Sequence, residues 1–131
     1  MSKPVILCVD DERVVLDSLK MQLKSAFGDA YLYEVAEDAD DALELIYELN
    51  EEGSLIILIV SDWLMPGMKG DEFLIHIHQQ FPSIIKILLT GQAEPSAIER
   101  TKEQANLLCC LHKPWSEEEL VETIKFGLAQ L

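Results

Sequence analysis

Positive charge is what this sequence has least of. Its 131 residues carry 10 Lys+Arg against 24 Asp+Glu, a formal net charge of −14. Such a surface repels phosphate, which argues against non-specific binding of nucleic acid or an anionic membrane by this domain. Long apolar runs are also missing. The longest, Leu55 to Val60, falls far short of the roughly 20 residues that a membrane span requires. The opening Met1-Ser2-Lys3-Pro4 leads straight into a short apolar run, Val5 to Val9, too short for a secretory signal. Cysteine is scarce and odd in number. Cys8, Cys109 and Cys110 have no metal-ligand spacing, and the neighbours Cys109 and Cys110 should face opposite sides of a strand. The plain reading is a reduced, cytoplasmic protein in which all three are small core or wall residues.

What is present suits a globular chain. Hydrophobic residues make up 49% and charged residues 26%, a balance that argues against disorder. The length fits one domain spanning residues 1–131. A domain of that size buries roughly two thirds of its unfolded surface, enough for a core without staples.

The chain alternates strand and helix signals. Val5 to Val9 is continuous and rich in β-branched residues, as in a strand covered on both faces. Val15, Leu16, Leu19, Leu23 and Phe27 then recur at helical spacing, and Gly28 ends the helix. Tyr31 to Ala36 is less apolar and suits an edge strand. Asp38 caps a helix carrying Ala39, Ala42, Leu43, Ile46 and Leu49, closed by Asn50 to Gly53. Leu55 to Val60 should be central. Asp62 to Gly70, with one proline and two glycines, is a loop. Phe73, Leu74 and Ile77 mark a third helix, stopped before Pro82, and Ile84 to Leu89 a fourth strand. Glu94-Pro95-Ser96 opens a fourth helix with a thin apolar stripe, Ala97, Ile98 and Ala105. Leu107 to Leu111 is a fifth strand. Ser116 and Glu119 have capping-box spacing before a helix carrying Leu120, Ile124 and Leu128.

Five such βα units predict an α/β fold: an open parallel sheet with helices on both faces and right-handed crossovers. Ligands of such sheets sit outside the carboxyl ends of the strands. One kind of chemistry collects there. Asp10 and Asp11 follow the first strand, Asp62 the third, Thr90-Gly91 the fourth and Lys113-Pro114 the fifth. Two carboxylates ~5 Å apart repel by about 3 kcal/mol at an effective dielectric near 20. A divalent cation would relieve this, and magnesium suits an all-oxygen, water-rich site. With Lys113 it would form an electrophilic clamp for a phosphoryl group, with the central carboxylate as nucleophile and Thr90 as a hydroxyl donor.

Each signal also has a bland reading. An acidic pair before a helix is usually a cap plus a solvated charge. An aspartate before Pro-Gly can simply start a turn. Thr90-Gly91 alone is a turn and Lys113 alone a surface lysine. His76 and His78 lie two apart and do not share a helix face, which makes them surface or boundary residues rather than ligands. His112 should face solvent. Asp38 to Asp41 and Glu117 to Glu119 read as helix N-terminal charge. Met65 and Met68 belong to the loop after Asp62 and call for no cofactor.

Taken together, Val9-Asp10-Asp11-Glu12, Asp62-Trp63-Leu64-Met65-Pro66-Gly67-Met68-Lys69-Gly70, Leu89-Thr90-Gly91 and Lys113-Pro114 are specific. In this order, each at a strand end, they resemble the receiver domain of two-component response regulators over nearly the whole chain. The resemblance implies a flavodoxin-like, doubly wound (βα)5 fold with strand order 2-1-3-4-5. It implies Asp62 as phosphate acceptor, with Mg2+ held by Asp11 directly, by Asp10 mostly through water, by Asp62, and by the backbone carbonyl of Leu64. Thr90 would be the switch hydroxyl. Lys113 would pair first with the acceptor and then with the phosphoryl group, and the Lys113-Pro114 bond would be cis. The partner would be a sensor histidine kinase or histidine phosphotransfer protein supplying phosphohistidine. The domain would catalyse its own phosphorylation and slow dephosphorylation without being an enzyme in the usual sense. Its output partner is not named by the sequence, and the face of helix four, strand five and helix five is one through which two copies could pair. Trp115 after Lys113-Pro114 resembles receivers joined to kinase, cyclase or cyclic-nucleotide phosphodiesterase modules. The chain is expected to be either a single-domain regulator or the first domain of a longer protein.

Other classes fit less well. A flavin-binding module needs hydroxyls and amides after strand one, where this chain is acidic. Phosphatases with an aspartyl-phosphate intermediate usually place two aspartates one residue apart on strand one; here they are adjacent. A degenerate receiver used only for docking would lack a site residue. One departure from the family concerns the switch. Receivers often carry Tyr or Phe three residues before the lysine, and here that position is Cys110. The signal is therefore expected to pass through helix four, whose thin stripe suits a loosely held element, and through the Lys113-Pro114-Trp115 turn. Trp63, next to Asp62, is expected at the rim of the acidic pocket.

Overall fold

In the computed structural model, which describes residues 3–92 and 94–131, five strands form one parallel sheet in the order β2-β1-β3-β4-β5. The elements run β1 (Val5–Val9), α1 (Arg13–Phe27), a short 3-10 turn (Gly28–Ala30), β2 (Leu32–Ala36), α2 (Ala39–Glu51) and β3 (Ile56–Asp62). They continue with α3 (Gly70–Gln80), β4 (Ile85–Thr90), α4 (Pro95–Ala105), β5 (Cys109–His112) and α5 (Glu117–Leu128). The expected doubly wound, flavodoxin-like architecture is thus the observed one.

Strand alternation divides the core into two layers. On one side Ile6, Cys8, Val60, Ile87 and Leu89 meet Leu16, Leu19 and Leu23 of α1 and Leu120 and Ile124 of α5. On the other, Val5, Leu7, Val9, Ile59 and Leu88 meet Ile46 of α2, Phe73, Leu74 and Ile77 of α3, and the small side chains of α4. Full burial of a side chain such as Leu or Phe contributes about 1.5–3 kcal/mol, so these layers hold the sheet ends in place. Cys109 packs into the first layer and Cys110 into the second, the opposite facing that alternation predicts.

Local chemistry sets the ends of the helices. Gly28 stops α1 at φ 59°, a conformation that L side chains rarely adopt, and its N–H donates to Lys24 O. The Asp38 side chain accepts from Asp41 N–H at 2.8 Å, and Ser116 and Glu119 form a reciprocal capping box. Pro95 opens α4 at its first turn.

Three elements differ from the sequence reading, β5 by starting two residues later, at Cys109, and ending at His112. β3 runs two residues further, because Ser61 still pairs with Val9 of β1 and Asp62 with Leu89 of β4. A polar end does not stop a strand that has ladder partners on both sides. On α4 the buried stripe is Ala97, Thr101 and Ala105, with Ile98 only partly covered. Thr101 can be buried because its hydroxyl donates to Ala97 O at 2.7 Å.

β4 also buries a charge. Lys86 is 1% exposed. Its Nζ donates to Ile84 O at 2.6 Å and lies 3.0 Å from His78 Nδ1 on α3. Burial pushes the lysine down to about 8, and burial together with Lys86 pushes His78 down. His78 is thus a boundary residue, as expected, and it has a buried partner.

Candidate functional site

The carboxyl ends of β1, β3, β4 and β5 meet at one edge of the sheet. Asp10 follows β1 and is fully buried. Its Oδ1 accepts the Glu12 N–H at 2.8 Å, and its Oδ2 lies 2.8 Å from Lys113 Nζ. Asp62, the last residue of β3, is 5% exposed, with Oδ1 3.2 Å from the same Nζ. Glu12 Oε1 stands 3.8 Å from it. Lys113 therefore binds Asp10 more closely than Asp62, a pairing that the sequence did not single out. Asp11 is exposed, and one carboxylate oxygen from each of Asp10, Asp11 and Asp62 falls within a 4.8 Å cluster.

Local backbone packing fixes the end of β3. Trp63 N–H donates to Leu89 O at 3.0 Å, which continues the β3–β4 ladder, and Gly70 N–H donates to Trp63 O at 2.7 Å. A Cβ at Gly70 would stand 2.0 Å from Asp62 O, so only glycine lets α3 begin there. Gly67, at φ 76°, turns the chain between them. Thr90 is 2% exposed, and its Oγ1 accepts the Gln92 N–H at 3.0 Å. Lys113 N–H donates to Thr90 O at 3.0 Å, which joins the ends of β4 and β5. The Lys113-Pro114 peptide bond is cis, as expected.

Asp62, Asp11, Leu64, Thr90 and Lys113 line one open cavity of about 590 Å³. Burial, and then the nearby Asp10 and Asp11 charges, push the Asp62 carboxyl up to about 6 against the pull of Lys113. Burial disfavours the Lys113 ammonium, but Asp10 and Asp62 outweigh it and hold the lysine above its ordinary range. Three carboxylates share one cation here, so negative charge remains in excess. This donor set, all oxygen and partly open to water, fits magnesium.

Trp63 does not stand at the rim of this cavity. Alternation along β3 sends its indole to the α3–α4 side, where it is 7% exposed and lines a separate groove with Asp71 and Arg100. His112 is exposed, as expected. Trp115 Nε1–H donates to Gln22 Oε1 of α1 at 2.7 Å, which pins the turn after Lys113-Pro114.

The response regulator receiver domain family matches residues 6–125 of this chain. Among curated relatives, the hydrogenase transcriptional regulatory protein HoxA of Cupriavidus necator is 29% identical over 120 residues, 92% of this chain and 23% of that protein. The HoxA of Bradyrhizobium diazoefficiens is also 29% identical over the same shares. The chain thus spans about a quarter of the length of these relatives. Among solved structures, the signal receiver domain of an HD domain-containing protein from Pseudomonas fluorescens superimposes with a TM-score of 0.86 at 32% identity, covering 98% of this chain and 96% of that one. A response regulator receiver domain protein (CheY-like) from Methanospirillum hungatei gives 0.84 at 31% identity, with 98% and 96% covered.

Proposed function

Because the chain belongs to the response regulator receiver domain family, a regulatory family whose members accept a phosphoryl group, we propose that Asp62 is its acceptor and that Asp10, Asp11, Thr90 and Lys113 serve that transfer. The observation that carries this reading is the acidic cavity itself. Asp62 ends the central strand, Lys113 Nζ lies 3.2 Å from it, and two further carboxylates stand within 4.8 Å.

The step is an in-line displacement. An Asp62 carboxylate oxygen forms a bond to phosphorus as the bond from phosphorus to the donor's imidazole nitrogen breaks. With the carboxyl at about 6, the nucleophile is mostly ionised at neutral pH and above. Lys113 follows the charge from the carboxylate to the equatorial phosphoryl oxygens. Asp10, Asp11, Asp62 and the Leu64 carbonyl would hold magnesium, which would neutralise part of the charge in the cavity. The phosphoryl group carries close to two negative charges where the carboxylate carried one. The Thr90 hydroxyl then donates to a phosphoryl oxygen, and the face of α4, β5 and α5 rearranges. A partner that binds the two states unequally reads the change.

The donor is a sensor histidine kinase or a histidine phosphotransfer protein, and the domain works in the cytoplasm. No helix among the described residues is long and apolar enough to cross a membrane. Two copies pair through the α4–β5–α5 face. The likeness to HoxA, named as a transcriptional regulatory protein, supports an output carried by a larger regulator.

Incubation with acetyl phosphate and magnesium tests the reading. Wild type should incorporate acid-labile phosphate and Asp62→Asn should not. Incorporation without retention, turning over many equivalents of donor, would favour a phosphatase-like enzyme. No incorporation by wild type would leave a receiver used only for docking.

A further inference from the structure

A third buried carboxylate, Asp71, lies behind the acceptor strand. Trp63 Nε1–H donates to Asp71 Oδ1 at 3.1 Å, and the Arg100 guanidinium of α4 takes Asp71 Oδ2. The Asp71 side chain is 3% exposed and that of Arg100 48%. Lys69 Nζ sits 4.9 Å from the centre of the Trp63 ring. A carboxylate this buried is strongly disfavoured without partners. Here each oxygen has one, the first from the residue after Asp62 and the second from α4.

The rest of α4 lies close along α3 but buries little apolar surface. Its buried side chains, Ala97, Thr101 and Ala105, are small and cover little apolar area. At its amino end it follows Gln92, whose N–H donates to Thr90 Oγ1. Two polar ties therefore flank the acceptor and lead to one helix: Thr90 through Gln92, and Trp63 through Asp71 to Arg100. On β5, Cys110 stands opposite Leu88 and brings no ring to this face.

We propose that Asp71 is a positioning residue that holds α4 in its resting place, and that the Asp71–Arg100 pair opposes the pull of the phosphoryl group on Thr90. This rests on the phosphoacceptor reading of Asp62. When the Thr90 hydroxyl turns to the phosphoryl group, Gln92 N–H loses its acceptor and the start of α4 follows. Arg100, held by Asp71, resists that shift. Linkage makes the effect reciprocal: weakening the pair must tighten the binding of a phosphoryl mimic. A merely structural role predicts no such gain, because a loosened domain does not bind its ligand better.

Arg100→Met keeps the side-chain stem and removes the fork. Asp71→Asn keeps an acceptor for Trp63 and removes the charge. Arg100→Lys keeps the charge. Each is compared with wild type by two-dimensional amide NMR and by titration with beryllofluoride and magnesium. The indole N–H signals of Trp63 and Trp115 serve as reporter and control. In Arg100→Met, without beryllofluoride, the α4 amides should move part of the way toward their beryllofluoride-bound positions. The Trp63 indole should move with them and that of Trp115 should not. Beryllofluoride affinity should rise by about fivefold, with Asp71→Asn in the same direction and Arg100→Lys returned toward wild type. Unchanged or weaker affinity in a folded Arg100→Met, with α4 at its resting shifts, would overturn the proposal and leave the acceptor reading intact. A wild type that takes up no beryllofluoride would overturn both.

Discussion

Gly70 packs directly against the main chain of Asp62, and a Cβ there would come within 2.0 Å of the Asp62 carbonyl oxygen. The backbone, not a flexible side chain, occupies that space, so either α3 or the end of β3 must shift. Gly70→Ala is therefore expected to destabilise the fold by about 2–4 kcal/mol. It should also slow phosphorylation by acetyl phosphate at least about tenfold, since misplacing a reacting group by an ångström has that effect. Chemical denaturation and phosphate incorporation measure the two.

Removal of a carboxylate should separate metal binding from acceptance. Asp11→Ala takes away an exposed member of the cluster and leaves Asp62 beside Lys113. Magnesium affinity, read by calorimetry, should fall, and phosphorylation should fall with it but recover at high magnesium. Asp62→Asn should not recover at any magnesium concentration.

Lys86 makes stability depend on alkaline pH. Its amine is buried on β4 and pushed from 10.5 to about 8. The unfolded chain thus holds that proton more tightly than the folded one between those two values. Stability gained from this group is absent below pH 8, grows as pH rises and is complete above pH 10.5. Lys86→Met should stabilise the protein at pH 7 by about 1–3 kcal/mol and flatten the alkaline rise. Urea denaturation at several pH values tests this; an equal slope in both proteins would refute it.

Cys110→Ala should be nearly silent. The thiol is half-buried and opposes Leu88, so little packing is lost. Phosphorylation should stay intact and partner affinity should change by less than about 1 kcal/mol. Thr90→Ala should disturb the phosphorylated state far more, and α4 amide shifts with beryllofluoride would show it. If Cys110→Ala erased those shifts while Asp62 remained occupied, the cysteine would be the switch.

The parts of this site that were legible in the sequence share one physical cause. Strands covered on both faces are uninterrupted apolar runs, so the polar residues that end Val5 to Val9 and Leu55 to Val60 stand out, and the parallel topology brings those ends together. Asp10, Asp11, Asp62, Thr90 and Lys113 meet for that reason. Asp71 was hidden because it sits in the first turn of α3, where an acidic residue is favoured by the helix dipole and needs no other explanation. Its partner Arg100 is 29 residues away. Trp63 misled because adjacency to Asp62 suggested a shared pocket, whereas adjacent strand residues face opposite sides. A signal for Lys86 was present. A lysine inside Ile84-Ile85-Lys86-Ile87-Leu88-Leu89, on a strand covered on both faces, has little route to water.

The central claim is that Asp62 carries the phosphoryl group. Borohydride reduces an acyl phosphate to the alcohol, so treating acetyl phosphate-labelled protein with borohydride and mapping its peptides by mass marks the modified residue. The account predicts conversion of Asp62 alone to homoserine, dependent on magnesium. Conversion at Asp10 or Asp11 with Asp62 unmodified would contradict it.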